Sequence, residues 1–237
     1  MGDGIRFVSA GPLSILAVIV LIGLVILVVP LLIIGVIGKA FTTLGFSWIT
    51  ALALVLLMLI GSMVNIPLYR IKRDMIRINQ NPMVFNSGED SESAQVWETI
   101  ITINLGGAIL PLAIAGYLVN RAIPISGPSL VLPIVAGTII VASVAFSATR
   151  VIPGAGMHVP LLMPGLTALL AAILLSGGAG TIAAVAAFTS GVAGTLLGGN
   201  IAWLPKIRDS EAALFSIGGS GTFASVFICC IVPALIT

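Results

Sequence analysis

Long runs of Leu, Ile, Val and Ala alternate with short polar breaks along almost the whole chain. A helix needs ~20 mostly apolar residues to cross the hydrocarbon core of a bilayer. Seven segments meet that length: 12–37, 44–68, 99–119, 129–148, 159–177, 179–199 and 212–236. The first two are uninterrupted. The fifth carries Pro160 and Pro164 at its start, so its first turn is expected to be broken or re-entrant. Only Ser176 to Gly180, a tight turn, separates it from the sixth.

The pattern predicts an all-α membrane bundle of seven transmembrane helices, a single transmembrane domain over 1–237. One sizeable loop, 70–98, interrupts it. In its first part Ile71, Met75 and Ile78 stand at helical spacing beside Arg70, Lys72, Arg73 and Arg77. The second helix is therefore expected to continue along the membrane surface, cations toward the head groups. The stretch from Asn86 to Gln95 is acidic and Ser-rich and reads as a linker. No internal repeat of the inverted-repeat transporter kind is visible.

A glycine-rich run from Gly191 to Ser225 holds most of the conformationally special residues of the C-terminal half. Gly191, Gly194 and Gly198 recur along one face of the sixth segment, and such small residues let membrane helices approach closely. Gly218-Gly219-Ser220-Gly221 is too dense for packing alone. It predicts a locally unwound helix, with backbone groups lining a cavity.

Composition sharpens this picture. Of 237 residues 59% are hydrophobic and 8% charged, where soluble domains carry about 25% charged. Mean hydropathy is +1.24. A water-soluble fold is excluded, and the lipid bilayer is the first expected partner. With seven spans, Arg6, Arg70, Lys72, Arg73, Arg77, Arg150, Lys206 and Arg208 fall on one side, and only Lys39 and Arg121 on the other. That bias predicts a multi-pass protein of the cytoplasmic (inner) membrane, N-terminus cytoplasmic, C-terminus outside and loop 70–98 cytoplasmic.

Other addresses and partners find no support. The apolar run after Pro12 is too long for a signal-peptide core, and Arg6 occupies the Ser/Thr place of a myristoylation motif. No basic patch is interleaved with aromatics, so no nucleic acid is expected.

The polar residues within the spans narrow the chemistry. No Asp, Glu, Lys or Arg falls mid-span, which argues against proton relays and ion-coupled pumping. What remains is Asn65, Asn104 and Asn200, each about 8 Å into the membrane from the same side at ~1.5 Å per residue. Buried amides need partners, and each could simply tie two helices together. Three at one level predict a polar pocket open to the cytoplasm, with Ser220 and Thr222 adding hydroxyls.

Adjacent Cys229 and Cys230 read as small apolar residues, because neighbouring cysteines rarely meet disulfide geometry. Gly218 to Gly221 matches the GxSG string of rhomboid proteases, but the lone His158 precedes it, contrary to the rhomboid order. Nothing near His158 completes a zinc set. No catalytic residue, cofactor or metal is therefore expected.

Five ordered blocks carry a resemblance: GSMVNIPLYRI, NLGGAILPL, RVIPGAGMHVPLLMPGL, GTLLGGN and SIGGSGTF. They resemble a prokaryotic family of multi-pass membrane proteins, domain of unknown function sixteen-fourteen, over about 45–236. The resemblance implies an aspartate after the glycine-rich end of the sixth span and another after the Thr-Phe of the seventh. Here those places hold Asn200 and Ala224. Two such aspartates would resemble the dyad of intramembrane aspartyl proteases, whose carboxyls share a proton. Asn and Ala cannot do that chemistry.

The leading expectation is a non-catalytic subunit or scaffold of a membrane complex, bound to other membrane subunits or to copies of itself. One alternative is a small-solute or ion channel or transporter lined by Asn65, Asn104, Asn200 and Ser220. The other is a protease-like protein lacking its carboxylates.

Overall fold

A computed structural model describes residues 34–75, 95–152, 156–207 and 214–236. Most of the first expected span, and the acidic linker up to residue 94, lie outside the described residues. The fold is mostly helical. Helix α1 (Ile34–Thr43) and helix α2 (Trp48–Gly61) meet at a 113° bend. Gly45 makes that turn at φ +88°, and Ser47 caps α2 by accepting from Thr50 N at 3.2 Å.

After α2 the chain departs from expectation. Instead of a surface helix it forms strand β1 (Asn65–Met75), antiparallel to β2 (Gln95–Asn104) from Asn65↔Asn104 to Met75↔Gln95. The third expected span therefore begins as strand. Two local causes favour this. Val96, Thr99, Ile100, Thr102 and Ile103 give β2 a β-branched composition that suits a pleated surface. Pro67 has no N–H to continue a helix, and it lies on an edge strand, where the register shifts between Pro67 and Tyr69.

Strand β2 runs into a π-helical turn (Leu105–Ile109) and helix α3 (Leu110–Ser126). A 3-10 turn leads to α4 (Val131–Ala148), then to a hairpin of β3 (Arg150–Ile152) and β4 (Gly156–His158). Helices α5 (Met163–Leu175) and α6 (Thr181–Gly199) form the next hairpin. The short α7 (Leu204–Ile207) precedes β5 (Leu214–Ile217), which pairs parallel to β2, and α8 (Phe223–Ile231). The expected fifth span holds a helix of 13 residues. The expected seventh is strand, turn and a helix of 9 residues.

Among the described residues two helical runs are long and apolar enough to cross a membrane, Leu105–Ala148 and Thr181–Lys206, or three if the bent α1–α2 pair counts as one span. The first has 44 residues and breaks at Gly127, where φ is +59°. The second is the hub, with 83% of its apolar window buried.

Packing contacts fix the helix directions around α6. Gly137 lies against Ser190, Gly194 against Val141 and Gly198 against Ala142, so numbering rises together and α4 runs parallel to α6. Gly191 abuts Ala168, while Ala172 packs with Ala183 and Ala187, so α5 runs antiparallel. Thr222 meets Asn200 and Cys229 meets Thr195, which makes α8 antiparallel too. Gly61 packs on Gly106, and Arg121 donates to Gly45 O at 3.2 Å. Thus α2, α4 and α6 run toward one end, and α3, α5 and α8 run away from it. All three strand-bearing segments gather at that first end.

Candidate functional site

The end reached by α2, α4 and α6 is built around two buried amides. Asn104 stands where β2 becomes helix, with φ −83° and ψ 132°. Its Oδ1 accepts from Gly107 N at 2.7 Å, capping the π turn. Its Nδ2 donates to Ser62 O at 2.7 Å and to Asn65 Oδ1 at 3.1 Å. Asn65 Oδ1 also accepts from Ser216 Oγ at 2.6 Å. The end of α2, the start of α3 and strand β5 are joined through these two side chains.

Asn200, the C-cap of α6, forms the second cluster. Its Nδ2 donates to Thr222 Oγ1 at 2.9 Å, and its Oδ1 accepts from Gly218 N at 3.2 Å. Gly218 has φ +73°, and Phe223 N donates to Gly219 O at 2.7 Å to start α8. The two clusters meet at a backbone crossing. A Cβ on Gly107 would strike the Gly218 carbonyl, and one on Gly218 would come within 2.6 Å of the Gly107 carbonyl group. Only glycine lets these chains touch.

Asn65, Asn104, Asn200 and Thr222 therefore share one end of the bundle, but their connections differ from the expected pocket. Asn104 and Asn200 are each 1% exposed, and each uses both its N–H and its carbonyl ends on protein partners. Asn65 is exposed, as is Ser220, which joins neither cluster. The turn at 218–222 is non-helical and packed inside the protein at Gly218, Gly219 and Thr222. Buried irregular backbone of this kind needs such partners.

Sequence reasoning missed Ser62 and Ser216. Ser225 Oγ lies 3.0 Å from Val159 O and 3.1 Å from Pro160 O, anchoring the lead into α5. Ser216 sits in one of the blocks that carry the resemblance, which was the one signal available. Chain order also concealed the place of His158. Val159 N donates to Gly221 O at 2.9 Å, so His158 flanks the turn that carries Ser220. The two side chains share no hydrogen bond. Ala224, where the resemblance implies a carboxylate, is exposed while Asn200 is buried. Cys229 and Cys230 are free and buried. Among the described residues no three His, Cys, Asp or Glu stand together as a metal set.

Beyond Asn200, Lys206 Nζ lies 4.3 Å from the Trp203 ring centre and 5.0 Å from that of Phe146. An ammonium over two rings is a favourable cation–π arrangement. It ties α7 back onto the end of α4.

Residues 59–236 match the family described as Protein of unknown function (DUF1614), well over half of the chain, and the chain belongs to that family. No curated protein and no solved structure matches it.

Proposed function

We propose that this DUF1614 protein is a non-catalytic integral membrane scaffold, a subunit of a membrane complex or homo-oligomer in the cytoplasmic membrane. The observation that carries the reading is the saturation of the Asn network. Every amide group at the candidate site that is buried is spent on holding helix ends together. Buried amides used in this way fix a shape, and an amide supplies no base.

Several features support a bundle of seven crossings. Leu166, Leu170 and Leu174 form an exposed stripe on α5 at 51%, 60% and 78%. Leu132, Val135 and Ile139 do the same on α4. Contiguous apolar faces of this kind are costly in water and ordinary against lipid. The 44-residue run would measure about 66 Å at ~1.5 Å per residue if straight, twice a hydrocarbon core, and its break at Gly127 suits two crossings. The described helices also alternate in direction. Arg150 and Lys206 belong to the end of the Asn clusters, and Lys39 and Arg121 to the helix ends opposite, which fits a cytoplasmic Asn-rich end.

The solute-pathway alternative rests on the break in the last span. Asn200, Gly107 and Thr222 pack into that break, which favours the scaffold reading. Gentle extraction from native membranes tests the choice. Co-purification with fixed partners, or a stable homo-oligomer, agrees with a scaffold. A monomer that carries solute across liposomes contradicts it.

A further inference from the structure

Where the β3–β4 hairpin meets the start of α5, a recess of about 360 Å³ opens, lined by Ala148, Arg150, His158, Pro160 and Met163. The strand register puts Arg150 directly opposite His158. Cross-strand partners point to the same face, ~5 Å apart at Cβ. Met157, one residue before His158, turns the other way and is buried. Arg150 and His158 are both exposed, and among the described residues neither side chain has a hydrogen-bonding or ion-pair partner. The wall of the recess continues into Leu161, Leu162 and Met163, exposed by 47%, 54% and 52%. Two unpaired donors beside an apolar shelf describe an amphiphilic anion site.

We propose that this recess binds the phosphate of an anionic phospholipid head group. Arg150 supplies a permanent charge and the planar fork that matches phosphate oxygens in pairs. His158 adds an imidazole N–H from the opposite strand. The acyl chains run over Leu161, Leu162 and Met163. The Lys206 cluster on Phe146 and Trp203, at the same end, has the cation–aromatic composition of a membrane interface. The lipid form of the ligand rests on the membrane reading above, whereas a phosphate anion held by Arg150 and His158 does not.

The test uses the whole protein in neutral-detergent micelles, titrated with phosphatidylglycerol, phosphatidylcholine or inorganic phosphate and read by calorimetry and native mass spectrometry. One saturable phosphatidylglycerol site is expected, weakened about tenfold or more in Arg150→Gln and in His158→Gln. Both residues are surface-exposed, so the variants should keep the parent's circular dichroism and melting curve. Lys39→Gln, at the opposite end of the bundle, should bind as the parent does. Phosphatidylcholine binding much more weakly assigns the site to anionic lipid. Inorganic phosphate binding as tightly as the lipid, with the same loss in Arg150→Gln, keeps the phosphate site and reassigns its source to free phosphate. The proposal is overturned if neither phosphate probe binds, if Arg150→Gln binds unchanged, or if Lys39→Gln loses as much. Release of the protein from membranes by alkaline carbonate would sink the membrane reading, and the phosphate titration would still decide the recess.

Discussion

Asn65 and Asn104 face each other across the first rung of the β1–β2 ladder, and Asn104 Nδ2 donates to Asn65 Oδ1 at 3.1 Å. The pair sits where helix α2 hands over to strand and strand β2 hands over to helix. Both transitions strand backbone groups that no regular ladder satisfies. Asn104 takes two of them, Ser62 O and Gly107 N, with one side chain.

Asn104→Ala should therefore destabilise the fold by about 2–4 kcal/mol, because it leaves buried groups unpaired. Asn65→Ala should cost only about 1 kcal/mol, since Asn65 is exposed and water can replace it. Thermal or chaotrope unfolding in detergent gives both values. Equal losses would mean that the network is not organised around Asn104.

Glycines offer a second contrast. A Cβ on Gly198 would run into the Ala142 backbone carbonyl, which cannot move without parting α4 from α6. Gly116 has nothing within 4 Å of where a Cβ would go. Gly198→Ala should cost at least about 3 kcal/mol or abolish expression. Gly116→Ala should be neutral or stabilise by up to ~1 kcal/mol through helix propensity. A mild Gly198→Ala would show that α4 and α6 can part at this contact at little cost.

The two contrasts mark what the chain discloses by itself. Helices α4 and α6 are plain in the hydropathy, and the tight glycine face of α6 follows from Gly194 and Gly198. Strand β1 is concealed, because Ile71 and Met75 satisfy a helical period while Ile66, Leu68 and Arg70 equally suit alternation. Strand β2 is visible in its β-branched residues, but apolar length alone absorbs it into a span. The Asn clusters are legible as residues and not as contacts. Ser216 bonds Asn65 from 151 positions away, and only the fold closes that distance.

Asn200 tests what can occupy the position where the resemblance implies a carboxylate. Its Oδ1 accepts from Gly218 N, and the Thr222 hydroxyl can turn to donate instead of accept. Asn200→Asp should therefore fold, with both oxygens accepting, at a cost of about 1–2 kcal/mol for burying the charge. Asn200→Leu satisfies neither partner and should cost about 3 kcal/mol or more. Comparing the two melting curves at neutral pH decides this. If the Asp variant falls as far as the Leu variant, the pocket is built for an amide alone.

The direction of the helices yields a prediction about sides. Tyr69, 66% exposed, and Ser220, also exposed, belong to the end where α2, α4 and α6 finish. Ser129, exposed, lies in the α3–α4 turn at the far end. The native Cys229 and Cys230 are buried, so a hydrophilic thiol reagent should leave the parent protein unlabelled. Under the proposed topology, with that end cytoplasmic, Tyr69→Cys and Ser220→Cys should then label only in inverted vesicles. Ser129→Cys should label from outside intact cells. Labelling of Tyr69→Cys and Ser129→Cys from one side would break the alternation of α2, α3 and α4, and the seven-crossing bundle with it.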